Sequence, residues 1–285
     1  MLSRIQAHLD SLSPSEQRVA HVLLEDPRWF CNTPIAQLAL RAQVSKPTVV
    51  RFCRSMGYQG LSDFKLRLAS SVADGVPFIH RSVAAQDTAD EVIAKVTDNT
   101  VAALLKYRND ASPAIVQKVA HVLHLAHRRQ RRLEFYGVGN SGIVAQDAQH
   151  KFFRMGFHTA AHSDGHLQIM SASLLQEGDV LVIVSNSGQT RDLIDACEIA
   201  RQRGAVTVGI TATGSALAKA VDLHLAADHP ESYERFSPMV SRLLHLMILD
   251  VLATCTALHI GATKLEPHLR LIKSHLIDKR YIQAP

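Results

Sequence analysis

The sequence predicts an α-helical N-terminal domain followed by an α/β domain whose mostly parallel sheet is flanked by helices. Three observations carry this. Up to Gly57 the chain reads as a run of short amphipathic helices with capping residues between them. Val180 to Val184 is an unbroken apolar run rich in β-branched residues, the pattern of a strand buried on both faces. From Leu133 onward, strand-like runs alternate with helical ones, as in a layered parallel sheet.

The totals fit this division. At 285 residues, 47% hydrophobic and 20% charged, the chain can bury one large core or two ordinary ones. A formal charge of +5 permits nucleic acid as a partner, and an aromatic share of 5% disfavours a stacking surface for single strands. Cys31, Cys53, Cys197 and Cys255 form no close pair, which fits reduced thiols in a cytosol. Met1-Leu2-Ser3-Arg4 lacks the apolar core of a signal peptide. The longest apolar stretch near the C-terminus is interrupted by Arg242, His245 and Asp250, so no membrane span and a cytoplasmic location are expected.

Taken in order, Leu2, Ile5, Leu9 and Leu12 repeat at helical spacing. Ser13-Pro14-Ser15-Glu16 is a start signal, with Ser13 as N-cap, proline at N1 and Glu16 at N3. Asp26-Pro27 ends that helix, and Trp29 and Phe30 plug the junction after it. Thr33-Pro34 opens a third helix with Ile35, Leu38, Ala39 and Ala42 inside. Gln43-Val44 is a tight connection. Ser45 caps a fourth helix, Lys46 to Ser55, and Gly57 supplies its left-handed stop.

Two short helices across so short a turn have helix-turn-helix spacing. The second helix of that unit enters the major groove, where arginine reaches guanine edges or phosphates and small hydroxyls suit phosphates. Ser45, Lys46, Thr48, Arg51 and Arg54 fall on the polar face here and are the candidate contacts to double-stranded DNA. The alternative is an ordinary bundle with a solvated basic face.

At this point a family resemblance becomes specific. Ile35-Ala36-Gln37-Leu38-Ala39, the run Val44 to Arg54, Gly57-Tyr58 and Asp63-Phe64-Lys65 resemble the N-terminal domain of the RpiR family. These are bacterial transcription regulators with a helix-turn-helix followed by a sugar-isomerase (SIS) domain. The resemblance runs from about Leu2 to Arg280. Pro47 to Met56 and Pro238 to Leu243 resemble the branch that governs glucose catabolism. It implies a repressor of glucose and Entner–Doudoroff genes, released from its operator by a phosphorylated sugar acid, 2-keto-3-deoxy-6-phosphogluconate. The expected division is residues 1–77 for DNA, 78–112 for a linker and connecting helix, and 113–285 for the SIS domain.

Helical patterns return at Ala89–Tyr107 and Ser112–Ala126. Arg128-Arg129-Gln130-Arg131-Arg132 reads as a solvated helix end, with a phosphate-steering patch as the sharper alternative. Leu133 to Tyr136 is a strand ending in Gly137-Val138-Gly139-Asn140-Ser141-Gly142, with a helix from Ile143. Gly142 comes one position too early for a dinucleotide fingerprint, so no nicotinamide or other cofactor is expected. The other strand patterns are Val206–Ile210 and Leu223–Ala226, between helices at Arg191–Arg203 and Ser215–Ala220.

The loop Ser185-Asn186-Ser187-Gly188-Gln189-Thr190 follows the buried strand and precedes a helix. Its hydroxyls, its glycine and the lack of lysine or arginine suit a phosphomonoester held by hydroxyls and backbone amides. The family resemblance implies ligand contacts from Ser141, Ser185, Ser187 and Thr190, with the backbone N–H groups of Asn186, Gly188 and Gln189 completing the cradle.

No metal site is expected. His158, His162 and His166 do not share a helix face, and His121, His124 and His127 are more ordinary as packed or solvated groups. Asp164 and His166 are placed in a loop that could approach the sugar. No catalytic residue is expected; the alternative is a phosphosugar aldose–ketose isomerase with a regulatory N-terminal domain, using Glu231 or Glu234 as base. A sugar-phosphate regulator acting on a protein instead of DNA is a third reading. The apolar helix from Pro238 to about Leu258, with Val251, Leu252 and Leu258, is the candidate interface of a homodimer or higher oligomer.

Overall fold

The computed structural model describes residues 2–65, 68, 83–229 and 240–276. Among these, residues up to Asn109 form one compact unit and those from Asp110 form another.

The first unit is helical. It contains α1 (Leu2–Ala7), α2 (Pro14–Glu25), α3 (Pro27–Asn32), α4 (Ile35–Arg41), α5 (Lys46–Ser55) and α6 (Ala89–Asp110). The capping box at α2 forms as predicted, with the Ser13 N–H donating to Glu16 at 3.2 Å. Asp26-Pro27 does more than end α2. The Asp26 carboxylate accepts from the Trp29 N–H at 2.9 Å and starts α3, so the junction plugged by Trp29 and Phe30 is itself a short helix. Phe30 is fully buried there, whereas Trp29 is half-buried under the Arg41 guanidinium.

The turn between α4 and α5 rests on Gln43 at φ 52°. The Gln43 and Val44 N–H groups return to the carbonyls of Leu40 and Ala39, closing the last turn of α4. The same closure recurs after α5, where Gly57 sits at φ 84° and Tyr58 N–H bonds the Cys53 carbonyl at 3.1 Å. Phe64 lies at the centre of the core, with its ring 5.0, 5.6 and 6.0 Å from those of Tyr58, Phe52 and Phe30. Of the expected linker and connecting helix, residues 78–82 lie outside the described residues.

The second unit opens with α7 (Pro113–Arg128) and continues as β1 (Arg132–Tyr136), α8 (Asn140–Arg154), β2 (His158–His162), α9 (Gly165–Ser173), β3 (Val180–Ser185), α10 (Arg191–Gln202), β4 (Val206–Thr211), α11 (Ala216–Ala220), β5 (Leu223–Ala226), α12 (Val240–Ile260) and α13 (Ala262–His275). The five strands are ordered β2-β1-β3-β4-β5 and every pairing is parallel. All six residues of β3 are buried, which is why it reads as continuous rather than alternating. Helices α7, α8 and α12 pack together, and α9, α10 and α11 pack in turn along the chain.

Several expectations need correction. Helix α8 starts at Asn140, not Ile143, so Gly142 is inside it. Helices α9 and α13 were not anticipated. The basic run is split, since Arg132 opens β1 and pairs with the buried Glu134. By length and composition α12 could cross a membrane, but here it packs on α7 and α8. Its Leu252, expected at an oligomer interface, is 1% exposed within the chain, whereas Leu258 is 77% exposed.

His245 of α12 is buried beside His229. Burial, and then the neighbouring imidazole, pull its pKa down to about 4. The folded state therefore prefers neutral His245, and stability is lost as pH falls below the ordinary histidine value of about 6.5 toward the folded one. Denaturant titrations at pH 7.5 and pH 5 should show a drop on the order of 2 kcal/mol from this residue. His245→Phe should shrink the drop; an unchanged pH dependence would exclude His245 as its source.

Candidate functional site

The sheet order reverses between β1 and β3: the chain moves outward from β1 to β2, then returns to the other side of β1. In an open parallel sheet the crevice at the carboxyl ends of two such strands is where ligands sit. Flanking it are residues 137–139 with the first turn of α8 after β1, and residues 186–190 after β3.

The first loop is closed by backbone contact. A Cβ on Gly137 would fall 2.6 Å from the Ser141 carbonyl carbon, and one on Gly142 would fall 2.8 Å from Ser163 Cβ. Gly139, at φ 54° and ψ −128°, turns the chain into α8 in a conformation open only to glycine. Ser141 therefore stands in the first turn of α8, at the positive end of its dipole. Gln168 of α9, fully buried, donates to the carbonyls of Gly137 at 3.2 Å and His162 at 2.9 Å. It ties the ends of β1 and β2 together. Below, the Tyr136 hydroxyl donates to buried Glu134 at 2.7 Å; burial first, and then the Glu134 charge, push the phenol up so that it stays a neutral donor.

The second loop turns on Gly188 at φ 61°. A Cβ there would overlap the Thr211 and Ser215 hydroxyl oxygens and lie 2.6 Å from Ser215 Cβ. The Gly188 carbonyl accepts from Leu217 N–H at 3.0 Å. The loop after β4 thus forms a third wall with Thr211 and Ser215, both buried. Sequence reasoning missed these two. Thr211-Ala212-Thr213-Gly214-Ser215 repeats the hydroxyl-and-glycine signature after a strand, and that signal was available.

In the first unit, α5 presents Lys46, Arg51 and Arg54 to solvent, with Ser45 exposed at its start. Arg51 Nη2 donates to Ser15 Oγ at 3.2 Å and Nε lies 3.7 Å from Glu16. Arg54 Nε donates to the Gln59 carbonyl at 3.4 Å.

Comparison with known proteins now has a geometry to meet. The description "Helix-turn-helix domain, rpiR family" fits residues 1–75, and "SIS domain" fits residues 127–255. The HTH-type transcriptional regulator HexR of Pseudomonas aeruginosa is 41% identical over 281 residues, covering 99% of this chain and 97% of HexR. The chain belongs to the RpiR family. It carries the helix-turn-helix and SIS domains in that order. It is also 45% identical over 266 residues to the bifunctional protein glk of Burkholderia pseudomallei, which covers 93% of this chain. The chain spans 41% of the length of that relative. Among solved structures, NanR of Vibrio vulnificus, complexed with ManNAc-6P, superposes with a TM-score of 0.61 at 26% identity, over 99% of each chain.

For an RpiR-family protein the structure sorts the candidate residues into groups. Ser187 and Gln189 are exposed in the second loop, Asn186 and Thr190 half-buried, and Ser141 half-buried in the first turn of α8. Ser185 is buried and its hydroxyl accepts from the Gly188 N–H at 3.1 Å, which engages that N–H and leaves the Ser185 O–H as a donor. The Gln189 N–H, another expected cradle donor, points at Ser187 Oγ at 3.3 Å. Thr48, expected on the polar face of α5, is buried; its hydroxyl pairs with that of Ser45 at 2.9 Å, which therefore makes no cap. Asp164 stands in the short connection after β2, as expected, and caps α9 through the Leu167 N–H, whereas His166 lies on α9 and not in a loop. Glu231 and Glu234 lie outside the described residues.

Gly188→Ala tests the packing of the loops. It adds a Cβ to a filled space at positive φ and should destabilise the second unit by about 2–4 kcal/mol. Gly214→Ala, at φ 75° with nothing within 4 Å, should cost only about 1 kcal/mol. Denaturant midpoints compare them; equal costs would show that Thr211 and Ser215 move aside freely.

Proposed function

We propose that the chain is a DNA-binding repressor that is released from its operator when the SIS unit takes up a phosphorylated sugar acid. The observation that carries this is the crevice at the β1/β3 reversal. Its loops offer Ser141, Ser187 and Thr190 hydroxyls, together with N–H groups at the start of α8 and α10. Neither loop contains a carboxylate or a lysine. Such donors accept phosphate without an ion pair. A solved relative in complex with ManNAc-6P supports a phosphorylated ligand. The relatives named as transcriptional regulators support sensing over catalysis.

In this reading residues 1–77 bind DNA, residues 78–112 connect, and residues 113–285 hold the effector. Ser45, Lys46, Arg51 and Arg54 contact DNA, with Thr48 supporting Ser45 from below. Ser185, Asn186, Gly188 and Gln189 shape the second loop around the phosphate. The effector is 2-keto-3-deoxy-6-phosphogluconate and the genes are those of glucose and Entner–Doudoroff catabolism, acting in the cytoplasm. The protein works as a homodimer or higher oligomer, since paired recognition helices match paired half-sites about one helical turn apart. Ligand favours one arrangement of the oligomer and operator the other, so each weakens the other's binding.

Operator binding titrated with a panel of sugar phosphates tests the proposal. One compound should weaken binding by about 5- to 150-fold. Ser187→Ala and Ser141→Ala should each bind operator normally and need more effector. Tight operator binding that no sugar phosphate relieves would reject the effector assignment.

A further inference from the structure

We propose that Glu16 is a positioning residue of the DNA-reading surface, holding the Arg51 guanidinium in place before DNA arrives. The inference rests on α5 being the helix that faces DNA. Glu16 stands in the first turn of α2 and is 6% exposed. One of its oxygens accepts from the Ser13 N–H at 3.2 Å and from the Ser13 hydroxyl. The other accepts from the Ser55 hydroxyl, at the far end of α5, at 2.7 Å, and lies 3.7 Å from Arg51 Nε. Arg51 Nη2 reaches Ser15 Oγ at 3.2 Å. The guanidinium is therefore anchored at two points on α2 while 61% of its side chain stays exposed.

Capping does not require this charge. Glutamine serves at N3 of a capping box as well as glutamate, and without the cost of burying a carboxylate. The Ser13 hydroxyl leads the interactions that hold the Glu16 carboxyl below its usual range against the opposite pull of burial; Ser55 and the Arg51 charge add to it. Over an amide, the carboxylate adds a second accepting oxygen, taken by the Ser55 hydroxyl, and attraction for Arg51.

That attraction has two opposed effects on DNA binding. An arginine held beforehand loses less rotamer freedom on docking and reaches fewer places, which favours one geometry over all others. The carboxylate also cancels part of the arginine's charge, which weakens attraction to phosphates in general. Glu16 should therefore raise preference among DNA sequences without raising affinity for DNA as such.

Glu16→Gln keeps an oxygen for the Ser13 cap and removes the charge, and its amide NH2 can donate to the Ser55 hydroxyl in place of accepting from it. The full chain would be assayed on a duplex selected by the wild type from random-sequence DNA and on an unrelated duplex of equal length. The ratio of the two affinities should fall about three- to tenfold, while binding to the unrelated duplex stays level or tightens. Glu16→Gln combined with Arg51→Ala should lose no more of the ratio than Arg51→Ala alone. An unchanged ratio in Glu16→Gln would overturn the proposal. So would a parallel fall of both affinities with a lowered melting temperature, which marks a purely structural role. Arg51→Ala separates the two readings: if it leaves the selected duplex bound as before, the assignment of Arg51 as a DNA contact fails, whereas a loss there with an intact Glu16→Gln ratio removes only the positioning role.

Discussion

The packing of Gly188 under Thr211 and Ser215 is the constraint on which the crevice at the β1/β3 reversal depends. The glycine lets the chain leave β3 at positive φ, and the space where a side chain would go is filled by two hydroxyls from the next βα connection. The Ser185 hydroxyl and the Leu217 N–H complete the lock from either side. Loops after two neighbouring strands are therefore one rigid wall. Facing it across the strand-order reversal, Gly137 and Gly142 bring the first loop close enough for backbone to touch backbone, and Gln168 pins it from beneath. A wall of this kind has its donors in position before a ligand arrives, so little ordering cost falls on binding.

The two units solve different problems with related devices. In the second, glycines create close approach where an anion needs backbone and hydroxyl donors. In the first, a buried carboxylate gathers two serines and an arginine between two helices, and the arginine reaches a third serine. Both arrangements fix polar groups on regular elements, which is how a surface keeps its geometry while its partner comes and goes.

Much of this was legible in the sequence wherever one local rule dominated. Ser13-Pro14-Ser15-Glu16 announced α2 because the cap, the N1 proline and the N3 acid all agree. Lys46–Ser55 and Val180–Val184 were legible from period and composition. The misses have physical causes. Helix α9 was hidden because its burial is inverted: Gln168 is fully buried while Leu167, Met170 and Leu174 are more than half exposed, so no amphipathic stripe marks it. The start of α8 looked like loop because Gly139, Asn140 and Gly142 disfavour helix, and only tertiary contact selects them. The turn between α4 and α5 uses glutamine where glycine is usual. Short hydroxyls near the backbone find local partners, Thr48 with Ser45 and Ser185 with the Gly188 N–H, and residue type alone does not mark these.

The account turns on coupling between the two units, and reciprocal linkage measures it directly. Operator affinity would be determined with and without saturating 2-keto-3-deoxy-6-phosphogluconate, and the affinity for that compound with and without saturating operator. The account predicts that the two ratios agree and exceed about fivefold, each partner weakening the other. A ligand that binds equally well to the free and the operator-bound protein would contradict it.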